Sequence, residues 1–296
     1  MNSREEGFLL LTAKLGDPER KPLTVAQLRN LAIRVRQANP GDPNKELTPE
    51  DLLLLGYGVK DAQRITDLMG QRGLLRSYVD RGAEMGCYPI SRVSDAYPPA
   101  LRKRLGLDAP GCLWAKGNVE ILDAPAIALV GSRELWRENE AFAREVGKQA
   151  ALQGYTLISG NARGADRAAQ ESCLAFGGQV ISVVADALYQ CHDVPDILYL
   201  SEEGYDLPFS AQRALSRNRV IHCLPTHGVF VAQCSLGKGG TWSGTAQNLK
   251  SNWSAVYCFR DGSEAAGELV RRNAIEITQE DLQSISLLQA DIPSLF

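Results

Sequence analysis

The sequence predicts an α/β fold: a mainly parallel sheet with helices on both faces, preceded by a small helical region. Three observations carry this. From Ala126 onward, short apolar runs alternate regularly with segments of helical period. The runs, such as Val180-Ile181-Ser182-Val183-Val184 and Gly228-Val229-Phe230-Val231-Ala232, are mostly apolar, as strands covered on both faces must be. The first part of the chain instead places its apolar residues at helical spacing.

Taken in order, Phe8-Leu9-Leu10-Leu11 starts one helical segment. Residues 24–35 form a second, with Thr24 as N-cap. Asn39-Pro40-Gly41-Asp42-Pro43-Asn44 reads as a loop. Thr48 then caps a helix, with Pro49 at its first position and Asp51 three residues after the cap. Leu52 to Val59, with Gly56 and Gly58, ends it, and Lys60 to Met69 begins another helix. This helix–Gly-x-Gly–helix layout resembles small DNA-backbone-binding modules. A packing unit with a glycine turn is the simpler reading, and the motif alone does not decide.

Cys87-Tyr88-Pro89-Ile90 reads as a short strand, Tyr97 to Leu101 as a turn into a short helix, and Pro110 to Gly117 as turn, strand and stop. Strands are expected at 126–130, 155–159, 179–184, 228–232 and 255–259. Helices are expected at about 138–153, 165–176, 210–222, 244–251 and 264–272. The domain boundary falls at roughly 90–100. This divides the chain into a helical part (1–92), a sheet domain (93–262) and a C-terminal tail helix (263–296).

Composition narrows the function classes. The 44% hydrophobic and 23% charged content is that of a globular protein. No apolar run approaches the roughly 20 residues that span a bilayer, and the start of the chain is a poor signal peptide. Cytoplasm is therefore expected, with no membrane partner. The seven cysteines are scattered without a C-x-x-C pair and read as buried free thiols; neither a metal nor a cofactor is expected. Net charge is -3, and residues 125–296 carry 14 Lys+Arg against 19 Asp+Glu. Nucleic-acid binding by that part would need a local arginine cluster.

Such clusters exist. Gly131-Ser132-Arg133 follows the run 126–130, and Ser159-Gly160-Asn161-Ala162-Arg163-Gly164-Ala165-Asp166 follows Tyr155-Thr156-Leu157-Ile158. Both sit where a strand runs into a helix. There, small residues let backbone N–H groups approach a phosphate near the positive end of the helix dipole. Arg133 and Arg163 add guanidinium groups that grip phosphate with paired hydrogen bonds. Asp166 has two open roles, capping its helix or bonding a ribose or base, and capping is the simpler.

Arg217-Asn218-Arg219 lies in a helical stretch, where residues two apart do not share a face. One arginine can face the pocket while the other faces elsewhere, and Asn218 can brace loops. Gly237-Lys238-Gly239-Gly240-Thr241 opens another helix and makes a third backbone cradle, with Lys238 as a movable charge. Trp242 either stacks on a base or packs its helix to the sheet. Glu202 is a catalytic acid or, more simply, the partner of a pocket arginine. No Ser-His-Asp or Cys-His pairing is suggested. A phosphoribohydrolase would need an acid soon after the last glycine loop, and Ala246-Gln247 stands there.

Five motifs together carry a family resemblance: Tyr97-Pro98-x-x-Leu101, Val130-Gly131-Ser132-Arg133, Ser159-Gly160-x-Ala162-x-Gly164-x-Asp166, Ser201-Glu202 and Arg217-Asn218-Arg219-x-Ile221. In order and spacing the chain resembles the DNA-processing protein A family (DprA, also called Smf) from about Leu52 to about Arg260. The resemblance implies an extended Rossmann-like domain after a sterile-alpha-motif-like (SAM-like) helical domain. It implies binding of single-stranded DNA in an arginine-lined pocket without catalysis, loading of the RecA recombinase in natural transformation, and a homodimer. The residue-level reading and the resemblance together give the expected contacts: Gly131, Ser132, Arg133, Ser159, Gly160, Arg163, Gly164, Asp166, Arg217, Asn218 and Arg219, with Lys238, Gly240 and Thr241 added by the last glycine-rich loop, which is longer than and less like the family pattern. The chain departs from the family at Gln170, where a histidine is usual, and at Ala214, where a base-stacking aromatic is usual. Stacking then falls to Trp242 or Phe209. No C-terminal winged helix is expected, because 264–296 is too short for one. A free nucleotide or nucleotide-derived signal is the alternative ligand.

Overall fold

A computed structural model describes residues 1–38 and 47–288. The expected loop at 39–44 and the last eight residues of the tail lie outside the described residues. Among the described residues, no helix is long and apolar enough to cross a membrane.

The chain begins with α1 (Ser3–Thr12), five residues before the apolar run that was expected to start it. Asn2 and Glu5 form a reciprocal capping box, with N···O distances of 3.0 and 2.8 Å. Thr24 caps α2 (Val25–Ala38), exchanging hydrogen bonds with Gln27. Thr48 and Asp51 do the same for α3 (Pro49–Leu54). Gly56 has φ +82, a left-handed turn into α4 (Val59–Gly70) that an L side chain would strain. A fifth helix, α5 (Arg72–Glu84), follows after Gln71. Leu11, Leu23, Leu31, Leu52, Ile65 and Leu68 form a small core among these helices.

The helices also share the core of the sheet. Phe8, Leu9 and Leu10 of α1 pack into it. Tyr78 of α5 sits edge-on to Trp114 at 5.3 Å between ring centroids and 4.7 Å from Tyr205. The Tyr78 hydroxyl donates to Asp206 at 2.7 Å.

Next come β1 (Cys87–Ser91), α6 (Pro99–Leu105), β2 (Cys112–Lys116), β3 (Ala126–Val130), α7 (Arg137–Leu152), β4 (Thr156–Ser159), α8 (Ala165–Ala175), β5 (Val180–Val184) and β6 (Ile197–Glu202). They are followed by α9 (Ala211–Cys223), β7 (Val229–Val231), α10 (Gly239–Ser251), β8 (Val256–Phe259), α11 (Glu264–Arg271) and β9 (Ile275–Ile277). Among the described residues the strands form one sheet in the order β1-β2-β6-β5-β4-β3-β7-β8-β9. The sheet is parallel from β6 to β9, while β1–β2 and β2–β6 are antiparallel.

Side chains alternate across the sheet with the period of two that strands impose. Ile127 and Leu129 of β3 face the core shared with Phe142 and Val146 of α7 and Ala168 and Ala169 of α8. Ala126, Ala128 and Val130 face the other core, with Leu101 of α6, Val220 and Ile221 of α9, Trp242 of α10 and Leu269 of α11. The sheet is thus covered on both faces, as expected.

Three local expectations need correction. Segment 197–202, absent from the expected strands, is the strand β6 between β2 and β5. Helix α10 starts at Gly239, five residues before the expected 244, because the glycine-rich loop is already helical. The tail from 263 is not one helix. Chain direction changes after α11 at Asn273 (φ +74), β9 pairs beside β8, and a 3-10 segment follows at Glu280–Leu287.

Topology places the site. From β3 the sheet grows in one direction through β4, β5 and β6, and in the other through β7, β8 and β9. The loops leaving β3 and β7 therefore diverge over opposite faces, and a crevice opens at the carboxyl ends of the strands between them.

Candidate nucleic-acid interface

The loop after β3 is held by its neighbours. Ser132 N donates to the Gln233 carbonyl at 2.9 Å, and Thr241 Oγ1 donates to the Gly131 carbonyl at 2.9 Å. Ala165 N donates to the Ser132 carbonyl at 3.1 Å. A Cβ on Gly131 would overlap the methyl of Ala165, and one on Gly164 (φ +83) would lie 2.5 Å from the Ser132 and Arg133 carbonyls. The first and second loops therefore touch backbone to backbone, which leaves Arg133 and Arg163 exposed above them.

Beneath them lies a layer of braces. Gln170 Nε2 donates to Ser159 Oγ at 2.6 Å and also bonds the Gly160 carbonyl, so it holds the β4 loop from inside. Asp166 accepts from Ala162 N at 3.3 Å. Burial pushes its carboxyl pKa up to about 6, opposed by the Arg217 guanidinium. Arg217 donates to the Val183 carbonyl, and burial lowers its pKa against the pull of Asp166. Its Nε has no hydrogen-bond partner among the described residues.

The arginines of α9 divide as the helical period requires. Arg217 reaches the crevice. Arg219 donates instead to Ser216 Oγ at 3.0 Å, and that hydroxyl donates to the Glu202 carboxylate at 2.9 Å. Glu202 was expected to pair with a pocket arginine; its link to Arg219 runs through Ser216. Burial raises the Glu202 pKa. Asn218 Nδ2 donates to the Gly240 carbonyl at 3.2 Å, bracing α9 against the start of α10.

Sequence reasoning missed Arg213. It donates to the Leu207 carbonyl at 2.8 Å, the Pro208 carbonyl at 2.9 Å and Ser201 Oγ at 2.8 Å, which fixes the approach to α9. Its distance from the Arg217-Asn218-Arg219 motif hid it, although one helical turn separates it from Arg217.

The result is an open groove of about 1310 Å³. Gly131, Ser132, Arg133, Arg163, Asp166, Arg217, Asn218, Lys238, Gly240 and Thr241 all line it. Ser159, Gly160, Gly164 and Arg219 are not among its lining residues: Ser159 and Gly160 are buried, Gly164 packs against the Ser132 and Arg133 carbonyls, and Arg219 turns to Ser216. Trp242 is 8% exposed and packs into the core, with the Arg272 guanidinium 5.2 Å from its ring. Its two open roles thus resolve to packing. Phe209 lines the groove at 52% exposure, and so does Trp136 at 57%, a residue sequence reasoning did not single out. The Trp136 backbone N donates to Gln233 Oε1 at 2.9 Å. At the groove floor, His222 is buried and its pKa is pushed down to about 4, so its ring is neutral.

The chain as a whole is similar to known proteins in sequence and fold. The profile of the family described as DNA recombination-mediator protein A matches residues 89–285. Protein Smf of Escherichia coli is 29% identical over 204 residues, covering 64% of this chain and 53% of that protein. DNA processing protein DprA of Streptococcus pneumoniae is 34% identical over 160 residues, covering 51% and 55%. The chain spans about half the length of these curated relatives. The X-ray structure of DNA processing protein A from Streptococcus pneumoniae superposes with a TM-score of 0.66 at 21% identity, over 90% of this chain and 99% of that one. A structure reported for the single-stranded DNA binding mode of DNA processing protein A from Helicobacter pylori superposes at 0.57 and 22% identity, over 68% and 95%. These likenesses establish the Rossmann-like fold. Because the matching profile covers well over half of the sequence, the protein belongs to the DNA recombination-mediator protein A family.

Proposed function

We propose that the groove binds single-stranded DNA through its phosphate backbone and performs no chemistry on it. The observation that carries this reading is the convergence of three glycine-bearing loops, at the ends of β3, β4 and β7, on Arg133, Arg163, Arg217 and Lys238. Backbone N–H groups and guanidinium groups together suit phosphates and are indifferent to sequence. The Ser132 and Thr241 hydroxyls are engaged with backbone carbonyls, as bracing groups are. Exposed Phe209 and Trp136 offer faces to unpaired bases, which a duplex keeps stacked inside itself.

The relative from Helicobacter pylori, described for its single-stranded DNA binding mode, supports the same ligand here. We further propose, as the sequence resemblance implies, delivery of the strand to a RecA recombinase by a homodimer; the family's description as a recombination mediator is consistent with the first of these. A free nucleotide is the second reading. It is favoured by the acidic balance of residues 125–296, 14 Lys+Arg against 19 Asp+Glu, which repels a long polyanion outside the groove.

The test is fluorescence anisotropy of a labelled single strand, titrated with salt and competed with duplex and mononucleotide. Three exposed cations predict a salt slope of about two on logarithmic axes. Displacement by a mononucleotide at concentrations comparable to the strand would replace this reading with the second.

A further inference from the structure

A smaller cavity of about 130 Å³ opens off the groove beyond the end of β5. Arg133, Arg163 and Arg217 all reach it, with Asn161 and Asp186 beside them and Phe209 at its wall. It has room for a phosphate group but not for a nucleoside beside it. Three guanidinium groups are more than an internal phosphate of a strand can use. A phosphodiester has two free oxygens and a single charge, and the chain must continue on both sides of it. A terminal phosphomonoester has three free oxygens, carries about -1.5 to -2 charge at neutral pH, and ends the chain. It can therefore enter a small recess and meet three guanidinium forks. Phe209 is 52% exposed at the wall, where the base of that last nucleotide would rest.

We infer that this cavity is an end-recognition subsite, which takes the terminal phosphate of a single strand while the groove holds the adjoining nucleotides. The inference rests on the single-strand reading above and adds a preference for phosphorylated ends.

The experiment compares three internally labelled oligonucleotides of one sequence: 5′-phosphorylated, 3′-phosphorylated and without terminal phosphate. Binding is followed by anisotropy with the full chain and with Arg163→Ala, an exposed position whose loss leaves the loop backbone in place. The expected result is an advantage of about tenfold or more for one phosphorylated end, which also reports the strand's polarity. In Arg163→Ala that advantage shrinks below about threefold while weaker binding of all three persists. Equal affinity of the three for the parent chain overturns the subsite. So does an advantage that survives undiminished in the variant. If none of the three binds, the single-strand reading itself falls, and the inference with it.

Discussion

Asp166 and Arg217 close on Gly160 from two sides, so that a Cβ at this position would overlap both Arg217 Nη1 and Asp166 Oδ2. A carboxylate from the start of α8 and a guanidinium from the middle of α9 are thereby held together under the groove. The glycine is there because the space is already occupied.

Gly160→Ala should therefore act as an overpacked substitution and cost about 1–3 kcal/mol of stability. The methyl group displaces Arg217, so single-strand affinity falls as well. Urea unfolding and anisotropy on the same preparation would check this. Unchanged stability would mean that the two side chains yield freely.

The same pair predicts two pH effects. Burial raises the Asp166 pKa from 3.8 to about 6, so the folded state binds its proton more tightly than the unfolded chain does. The stability that this proton contributes is complete below about 4 and is lost as pH rises through about 6. Asp166→Asn should remove this part of the pH dependence. Affinity moves the same way: neutralising the carboxyl on going from pH 7.5 to 5.5 adds one net positive charge to the groove and tightens phosphate binding. The tightening should be absent in Asp166→Asn. Equal slopes in parent and variant, measured with an oligonucleotide lacking terminal phosphate, would refute the assignment.

Arg133 and Arg219 should part company. Arg133→Ala removes an exposed groove cation, so it weakens single-strand binding and lowers the salt slope by about 0.7. Arg219→Ala removes a hydrogen bond to Ser216 away from the groove and should leave affinity within about twofold. Salt titrations of both variants decide it, and equal losses would place Arg219 in the groove after all.

Trp136 should report binding directly. Of the four tryptophans it is the one exposed in the groove; Trp114 and Trp242 are buried, and Trp253 packs against the core. Addition of a single strand should quench its fluorescence, and Trp136→Ala should abolish the quench and cost about 1–3 kcal/mol of affinity. Phe209→Ala should cost a similar amount while preserving the quench. A full quench in Trp136→Ala would exclude stacking at this position.

Much of the architecture was readable from spacing alone. Apolar runs at 126–130 and 180–184 coincide with β3 and β5, and the Thr48-Pro49-Glu50-Asp51 start coincides with a capped helix, because these signals lie within a few residues of one another. Ten of the fourteen expected contact residues line one groove, since strand-to-helix loops in a parallel sheet emerge on the same side. The short β9 was not readable. Its three residues, Ile275-Glu276-Ile277, become a strand through pairing with β8.

Sequence by itself determined the alternation of elements, the helix caps and the three glycine-bearing loops, all of which depend on local spacing and backbone chemistry. Tertiary structure alone decided which side chains face the groove. Arg217 enters the groove while Arg219 turns to Ser216. Trp242 is buried while Trp136 is exposed. Asp166 shares the space over Gly160 with a residue 51 positions later. The reason is that side-chain direction at these junctions is set by contacts across the whole domain, such as Thr241 to Gly131 and Ser132 to Gln233, which span 110 and 101 positions. No local period encodes contacts of that range; packing of the completed sheet does.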